Sequence, residues 1–254
     1  MVSTSEAKAR PGNGSAQPPA EGRHLYSAGD VNRINVIHVL GTITAAGATG
    51  IVLLTHVSDW IGVVIAAALL WLTLAGFEKR AWRWRLTAKV PHCAMPDLSG
   101  EWSGRIEINK GKEGEDIGMP LDCHVEIKQD WSRIAINLQT EVSRSWSVMA
   151  SIDARRAAND VVDHELHHEY YVTPRCDAPP ELSTQVELVD PHYGTAHLKL
   201  GPGSWPRVRP TSLSGIWFND QNFKRWGTIT LTRIPRPRRL RWLTRRPVPT
   251  ANTT

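Results

Sequence analysis

The chain has 254 residues, with 30 Lys and Arg against 25 Asp and Glu, 11 Trp and 3 Cys, for a formal charge of +5. That length holds one globular domain beside any apolar segments and tails, and the positive balance suits an anionic membrane surface or an anionic ligand. Cys93, Cys123 and Cys176 form no CxxC pair and leave an odd thiol, so neither a zinc knuckle nor a disulfide framework is indicated. No G-x-S-x-G, P-loop or Rossmann fingerprint is present either.

Residues 1–33 are rich in Ser, Gly, Pro, Ala and charge without hydrophobic periodicity, and read as a disordered N-terminal segment. Residues 34–77 hold two apolar stretches, Ile34–Leu54 and Trp60–Phe77, separated only by Thr55-His56-Val57-Ser58-Asp59. Each is close to the ~20 residues that cross a hydrocarbon core of ~30 Å as a helix. So short a gap permits one geometry, down and straight back, which predicts a two-helix transmembrane hairpin. Asn35, His38, Thr42, Thr44 and Thr49 make the first stretch marginal by hydropathy. Its small residues, Gly41/Ala45 and Ala46/Gly50, have the spacing that lets helices approach closely in lipid. A buried soluble hairpin is the alternative. A signal peptide is not, because no short basic start or cleavage-like site brackets a single apolar core.

Residues 78–96 form a basic juxtamembrane linker that opens Glu78-Lys79-Arg80-Ala81-Trp82-Arg83-Trp84-Arg85, whereas the loop between the spans carries only Asp59. Positive flanks stay in the cytoplasm, which predicts both termini and the following domain on that side of the membrane. From 97 to 234, apolar and polar residues alternate in short runs split by turn signals such as Gly111-Lys112-Glu113-Gly114 and Gly201-Pro202-Gly203-Ser204. The pattern predicts strands at Leu98–Ile108, Leu121–Lys128, Arg133–Thr140, Ser143–Ile152, Val162–Val172, Thr195–Leu200, Leu213–Asn219 and Trp226–Arg233. That is the content of a small up-and-down barrel, which has no exposed edge and often holds one ligand; a sandwich is the alternative. The predicted fold class is a membrane-anchored all-β protein, two N-terminal transmembrane helices followed by a cytoplasmic eight-stranded antiparallel β-barrel. Residues 235–254 are an Arg/Pro-rich tail. It suits anionic lipid, at about 1 kcal/mol per basic residue, or non-specific nucleic acid contact; no specific nucleic acid partner is expected.

His164-Glu165-Leu166-His167-His168 satisfies H-E-x-x-H, in which two histidines one helical turn apart hold zinc and the glutamate acts as general base. The chemistry needs a helix, yet Glu169-Tyr170-Tyr171-Val172-Thr173-Pro174 continues as extended chain. On a strand the two histidines stand about 13 Å apart and cannot share a metal. Ser143, Ser145, Ser147 and Ser151 alternate along one predicted strand and so share a face, either solvated or lining a barrel mouth. Trp102, Trp131, Trp146, Trp205, Trp217 and Trp226 lie in or beside predicted strands. Most suit core packing, but aromatic faces with cations nearby also suit an anionic ligand bearing purine rings.

Two apolar spans followed by Asp97-Leu98-Ser99-Gly100-Glu101-Trp102-Ser103-Gly104 resemble the start of the two-span, β-strand-rich effectors associated with bacterial CD-NTase enzymes. Further blocks resemble that family in order: Ser143-Arg144-Ser145-Trp146-Ser147, Tyr170-Tyr171-Val172-Thr173-Pro174, His192-Tyr193-Gly194-Thr195-Ala196-His197-Leu198, and Leu213–Asp220 through Gly227–Leu231. The resemblance covers residues 34–233. It implies a non-enzymatic effector of cyclic-oligonucleotide-based antiphage signalling (CBASS) in the bacterial inner membrane. A cyclic dinucleotide from a partner CD-NTase would bind in the barrel and drive self-association, and the helices would then disrupt the bilayer. No cofactor beyond that ligand is implied.

Family members commonly carry Tyr at the positions of Trp102 and Trp217, and an Arg near Gln221, where this chain offers Lys224 and Arg225. The expected ligand contacts are stacking on Trp102, Tyr171 or Trp217, base or sugar contacts from Ser145, Ser147 and Asn219, and a phosphate contact from Arg225. The face Gly41/Ala45/Ala46/Gly50 is where helices would cluster. A membrane-tethered zinc protease using His164-Glu165-x-x-His168 and a non-catalytic anchor that recruits a partner through its barrel are the competing readings.

Overall fold

The structure, a computed structural model, describes residues 22–28, 33–55, 59–84, 95–110, 120–156, 162–178, 191–201, 209–219 and 226–235. Cys93, Trp205, Lys224, Arg225 and the Arg-rich tail lie outside these residues.

Two helices, α1 (Arg33–Thr55) and α2 (Asp59–Lys79), follow each other closely in the chain and pack side by side. Among the described residues only one helical stretch, Trp60–Lys79, is both long and apolar enough to cross a membrane; the apolar part of α1 is shorter, Ile34–Gly50. Three hydroxyls that interrupt α1 are satisfied within the helix. Thr42, Thr44 and Thr49 donate to the carbonyls of His38, Leu40 and Ala45 at 2.9, 2.8 and 2.9 Å, which lowers the cost of placing them in an apolar segment. On α2, Trp60, Val63, Val64, Trp71 and Leu72 are exposed, an apolar surface of the kind lipid covers.

The eight predicted strands all form: β3 (Gly100–Lys110), β4 (Leu121–Gln129), β5 (Arg133–Gln139), β6 (Ser143–Arg156), β7 (Val162–Pro174), β8 (His192–Leu200), β9 (Ser212–Asn219) and β10 (Trp226–Arg233). Each pairs antiparallel with its neighbours in sequence, and β10 pairs back onto β3, so the meander closes into a barrel and the sandwich alternative falls away. Alternation sets the inside. Cys123, Val125 and Ile127 of β4, Ala196 and Leu198 of β8, and Ile229 and Leu231 of β10 are buried in one core cluster.

Closure is thinnest between β5 and β6, which pair only over Asn137↔Trp146, Leu138↔Ser145 and Gln139↔Arg144. An irregularity between Ser147 and Met149 then turns β6 away. The N-terminal segment fills this seam: β1 (His24–Leu25) pairs with β5 at Ile134 and Arg133, and β2 (Ser27–Ala28) runs parallel to β6 at Ser151 and Ile152. Residues 24–28 are therefore wall of the barrel, which corrects the expectation that they belong to a disordered segment. Two-residue strands are too short to carry a periodic signal.

Below the seam the barrel is plugged. Leu98 and Trp102 are fully buried, and Trp102 Nε1 donates to Leu98 O at 3.0 Å. Gln129 Oε1 accepts from Leu98 N at 2.8 Å, while its Nε2 donates to Tyr26 OH at 3.0 Å and Pro96 O at 3.1 Å. The Arg233 guanidinium lies 4.3 Å from the Trp102 ring centroid and donates to the carbonyls of Pro210, Ser99 and Asp97. The helical hairpin docks on this same end. Phe77 meets Trp131 edge-on at 5.0 Å, Glu78 Oε1 accepts from Ser132 N at 3.0 Å and Ser132 Oγ at 2.5 Å, and Trp131 N donates to Glu78 O at 3.1 Å.

Candidate functional site

Above the plug the barrel is hollow. The cavity has a volume of about 170 Å³, below the roughly 300–1,000 Å³ of ordinary small-molecule sites, and it opens to solvent at its mouth. Its walls are mostly aliphatic, including Ile106, Val125, Ile136, Leu166 and Leu198. Polar side chains enter from Thr140, Ser143, Ser145, His168, Tyr170, His192, Trp217 and Asn219. Among the described residues no Lys or Arg lines it. Ser143, His192 and Asn219 stand at the strand ends opposite the plug, so the mouth faces away from the end where the hairpin docks.

Local sequence explains how two aromatic rings fit in so narrow a barrel. Trp217 is paired in register with Gly227, where an added Cβ would come within 2.6 Å of Trp217 Nε1. Tyr170 is paired with Gly194, where a Cβ would sit 2.5 Å from the phenol. Each glycine vacates the space its cross-strand aromatic occupies. Tyr170 OH donates to Phe218 O at 3.2 Å and Asn219 Oδ1 at 3.4 Å, and burial pushes its ionisation well above the ordinary tyrosine range, so it stays a phenol.

The cavity brings together three of the residues singled out from the sequence: Ser145, Trp217 and Asn219. The others stand elsewhere. Trp102 is part of the plug, with its N–H already bonded. Ser147 is buried in the seam, where its Oγ accepts from Ile136 N at 2.9 Å and lies 2.8 Å from His24 Nε2. Tyr171 points to the outer wall and packs against Trp146 at 5.4 Å and Tyr193 at 4.9 Å. Arg225 lies outside the described residues.

The four serines of β6 do not share one face. The irregularity after Ser147 pairs Met149 with outward-facing Glu169 and so carries Ser151 outward, opposite His167. His164-Glu165-x-x-His168 lies on β7 as extended chain, which separates the two histidines instead of pairing them. Sequence reasoning placed Ser143 on a face that could line the mouth, and it missed His168, Tyr170 and His192 as cavity residues. For Tyr170 the signal existed in the Tyr170-Tyr171 pair, of which a strand can turn only one inward.

His168 and Trp217 differ from the other polar groups. His168 Nδ1 and Trp217 Nε1 are buried without a hydrogen-bond partner. Burial, with the positive potential of His24, His197 and His167 adding to it, pushes the His168 pKa down to about 4. The imidazole is therefore neutral at physiological pH, presenting one donor and one acceptor nitrogen.

A family model, that of the Cap15 cyclic dinucleotide receptor domain, matches residues 93–233, which span all eight barrel strands. The chain belongs to the Cap15 receptor family. A curated relative, CD-NTase-associated protein 15 of Yersinia aleksiciae, is 26% identical over 181 residues, covering 71% of this chain and 75% of that protein. Family and relative together make the chain a CBASS effector, and the hollow barrel is its cyclic dinucleotide receptor domain. The Cap15 match ends at Arg233, whose guanidinium closes the plug.

Proposed function

We propose that the chain captures a cyclic dinucleotide made by a partner CD-NTase, self-associates, and disrupts the inner membrane through two N-terminal spans, with both termini and the barrel in the cytoplasm. The observation that carries this reading is the polarity of the barrel: it is hollow and open at one end, and plugged and docked to the helical hairpin at the other. Trp217 supplies a stacking face, and Ser145 and Asn219 supply hydrogen bonds to base or sugar. A dianionic ligand needs cations, and burying its phosphates among aliphatic walls would cost several kcal/mol. The phosphates therefore sit at the mouth, by the β9 end at Asn219 and the β10 start at Trp226, with Arg225 as their contact. The docked Glu78 and Trp131 give ligand-induced motion of the barrel a rigid route to α2, and the small face of α1 gives neighbouring hairpins a place to meet.

The test is a titration of the full-length protein in liposomes with a panel of cyclic dinucleotides, reading heat of binding and release of an encapsulated dye together. Saturable binding with ligand-dependent release is the expected result. Folded protein that binds no member of the panel, or binds without release or change of oligomeric state, overturns the corresponding half of the proposal.

A further inference from the structure

Taking the cavity as the dinucleotide pocket, one layer of it has the shape of a slot. Register pairs Ala150 with His168, His168 with Ala196, Ala196 with Trp217, and Trp217 with Gly227. Five adjacent strands thus present small, large, small, large and small residues at one level of the inner wall. His168 and Trp217 both line the cavity, with buried Ala196 between them. Two strands at about 4.8 Å spacing put their Cα atoms roughly 10 Å apart. The two rings therefore stand two strand spacings apart on the cavity wall.

Each ring also carries a buried nitrogen without a hydrogen-bond partner, His168 Nδ1 and Trp217 Nε1. Such an atom destabilises the free protein, and an aliphatic residue like the nearby Leu166 and Leu198 would avoid the penalty. We propose that His168 is a specificity-determining residue of the pocket: it hydrogen-bonds the edge of one nucleobase that lies over Ala196 against Trp217. The chemistry favours a base over a phosphate. A neutral imidazole offers one donor and one acceptor, which matches the mixed edge of a purine or pyrimidine, whereas a phosphate selects a cation. Burial is the main reason the ring stays uncharged, and the nearby charges that add to it are His24 of β1 and the outward-facing His197 and His167.

The experiment uses full-length protein in liposomes and two substitutions, His168→Phe, which keeps an aromatic ring but no hydrogen bond, and His168→Gln, which restores a donor and an acceptor. The probes are cyclic dinucleotides that differ only in base identity. The readouts are Kd for each and the ligand-free Tm. His168→Phe should leave Tm unchanged or raise it, weaken binding of the preferred dinucleotide at least tenfold, and flatten the ratio between preferred and disfavoured bases. His168→Gln should recover part of the affinity or shift the preferred base.

A His168→Phe protein that keeps the wild-type base ratio overturns the proposal, whether or not Tm has fallen, because a purely structural role moves all ligands together. Wild-type protein that binds no cyclic dinucleotide overturns the pocket reading itself. The two failures are therefore distinguishable.

Discussion

The plug and the cavity are made from the same eight strands, yet they treat polar atoms in opposite ways. At the plug, the buried Gln129 amide and Trp102 indole and the half-buried Arg233 guanidinium all meet backbone or side-chain partners. In the cavity, a histidine and a tryptophan hold nitrogens with none. A buried hydrogen bond adds a modest net stability, while an unpaired buried group costs about 1–3 kcal/mol. The plug is thus built for stability and the cavity for something that arrives later. On the proposed reading, this difference separates residues that hold the barrel together from residues that would meet its ligand.

The sharpest way to break this contrast is Trp102→Ala. Removing a fully buried indole should cost about 3–5 kcal/mol of stability, measured by denaturant unfolding of the barrel, with no change in base preference in the protein that remains folded. A change in preference at normal stability would move Trp102 into the site.

Next in size is a pH effect centred on His168. Its folded pKa of about 4 lies below the ordinary histidine value of 6.5, so the unfolded chain takes up the proton first as pH falls. The stability is complete above pH 6.5, is lost between 6.5 and 4, and falls no further below, a loss on the order of 3 kcal/mol. His24 is depressed in the same direction by burial and steepens the same window. Thermal melts of wild type and His168→Phe from pH 7.5 to 4.5 check this, and parallel curves would contradict it.

Gln129→Ala leaves the Leu98 N–H and the Pro96 carbonyl without their partner and should cost roughly 2 kcal/mol, read as a lower Tm with dinucleotide Kd intact. Trp217→Ala should do the converse. It should weaken dinucleotide binding by about 1–3 kcal/mol, the worth of one base stacked on an aromatic ring, with a smaller loss of Tm than Trp102→Ala.

The smallest stability effect belongs to Glu78→Ala, which removes one carboxylate acceptor from Ser132 N and Oγ at a cost of about 1.5 kcal/mol. Its larger consequence is expected in coupling. Dinucleotide Kd should be unchanged while ligand-dependent dye release falls, and unchanged release would show that the docked hairpin end does not transmit the signal.

Much of the fold was legible in the chain. Alternation at Cys123, Val125 and Ile127, or at Ala196 and Leu198, is a local property of a strand with one buried face, and it marks a strand without knowledge of its partner. The two apolar stretches and the short gap between them likewise announced a pair of helices. The ordered blocks from Asp97 to Leu231 carried the family resemblance. What alternation leaves open is its phase. The neighbours Tyr170 and Tyr171 satisfy the same pattern, and only pairing with Gly194 and Tyr193 decides that Tyr170 enters the cavity while Tyr171 packs outside.

The same limit explains Ser151, which a single irregularity after Ser147 moves to the other face, and the seam, where His24 meets Ser147 from 123 residues away in the chain. Sequence by itself determined the strands, the helices and the family, because those rest on short-range periodicity and composition. Only the closed barrel decided which side chains face the hollow and which polar atoms lack a partner. Those properties belong to register and closure, set by residues far apart along the chain.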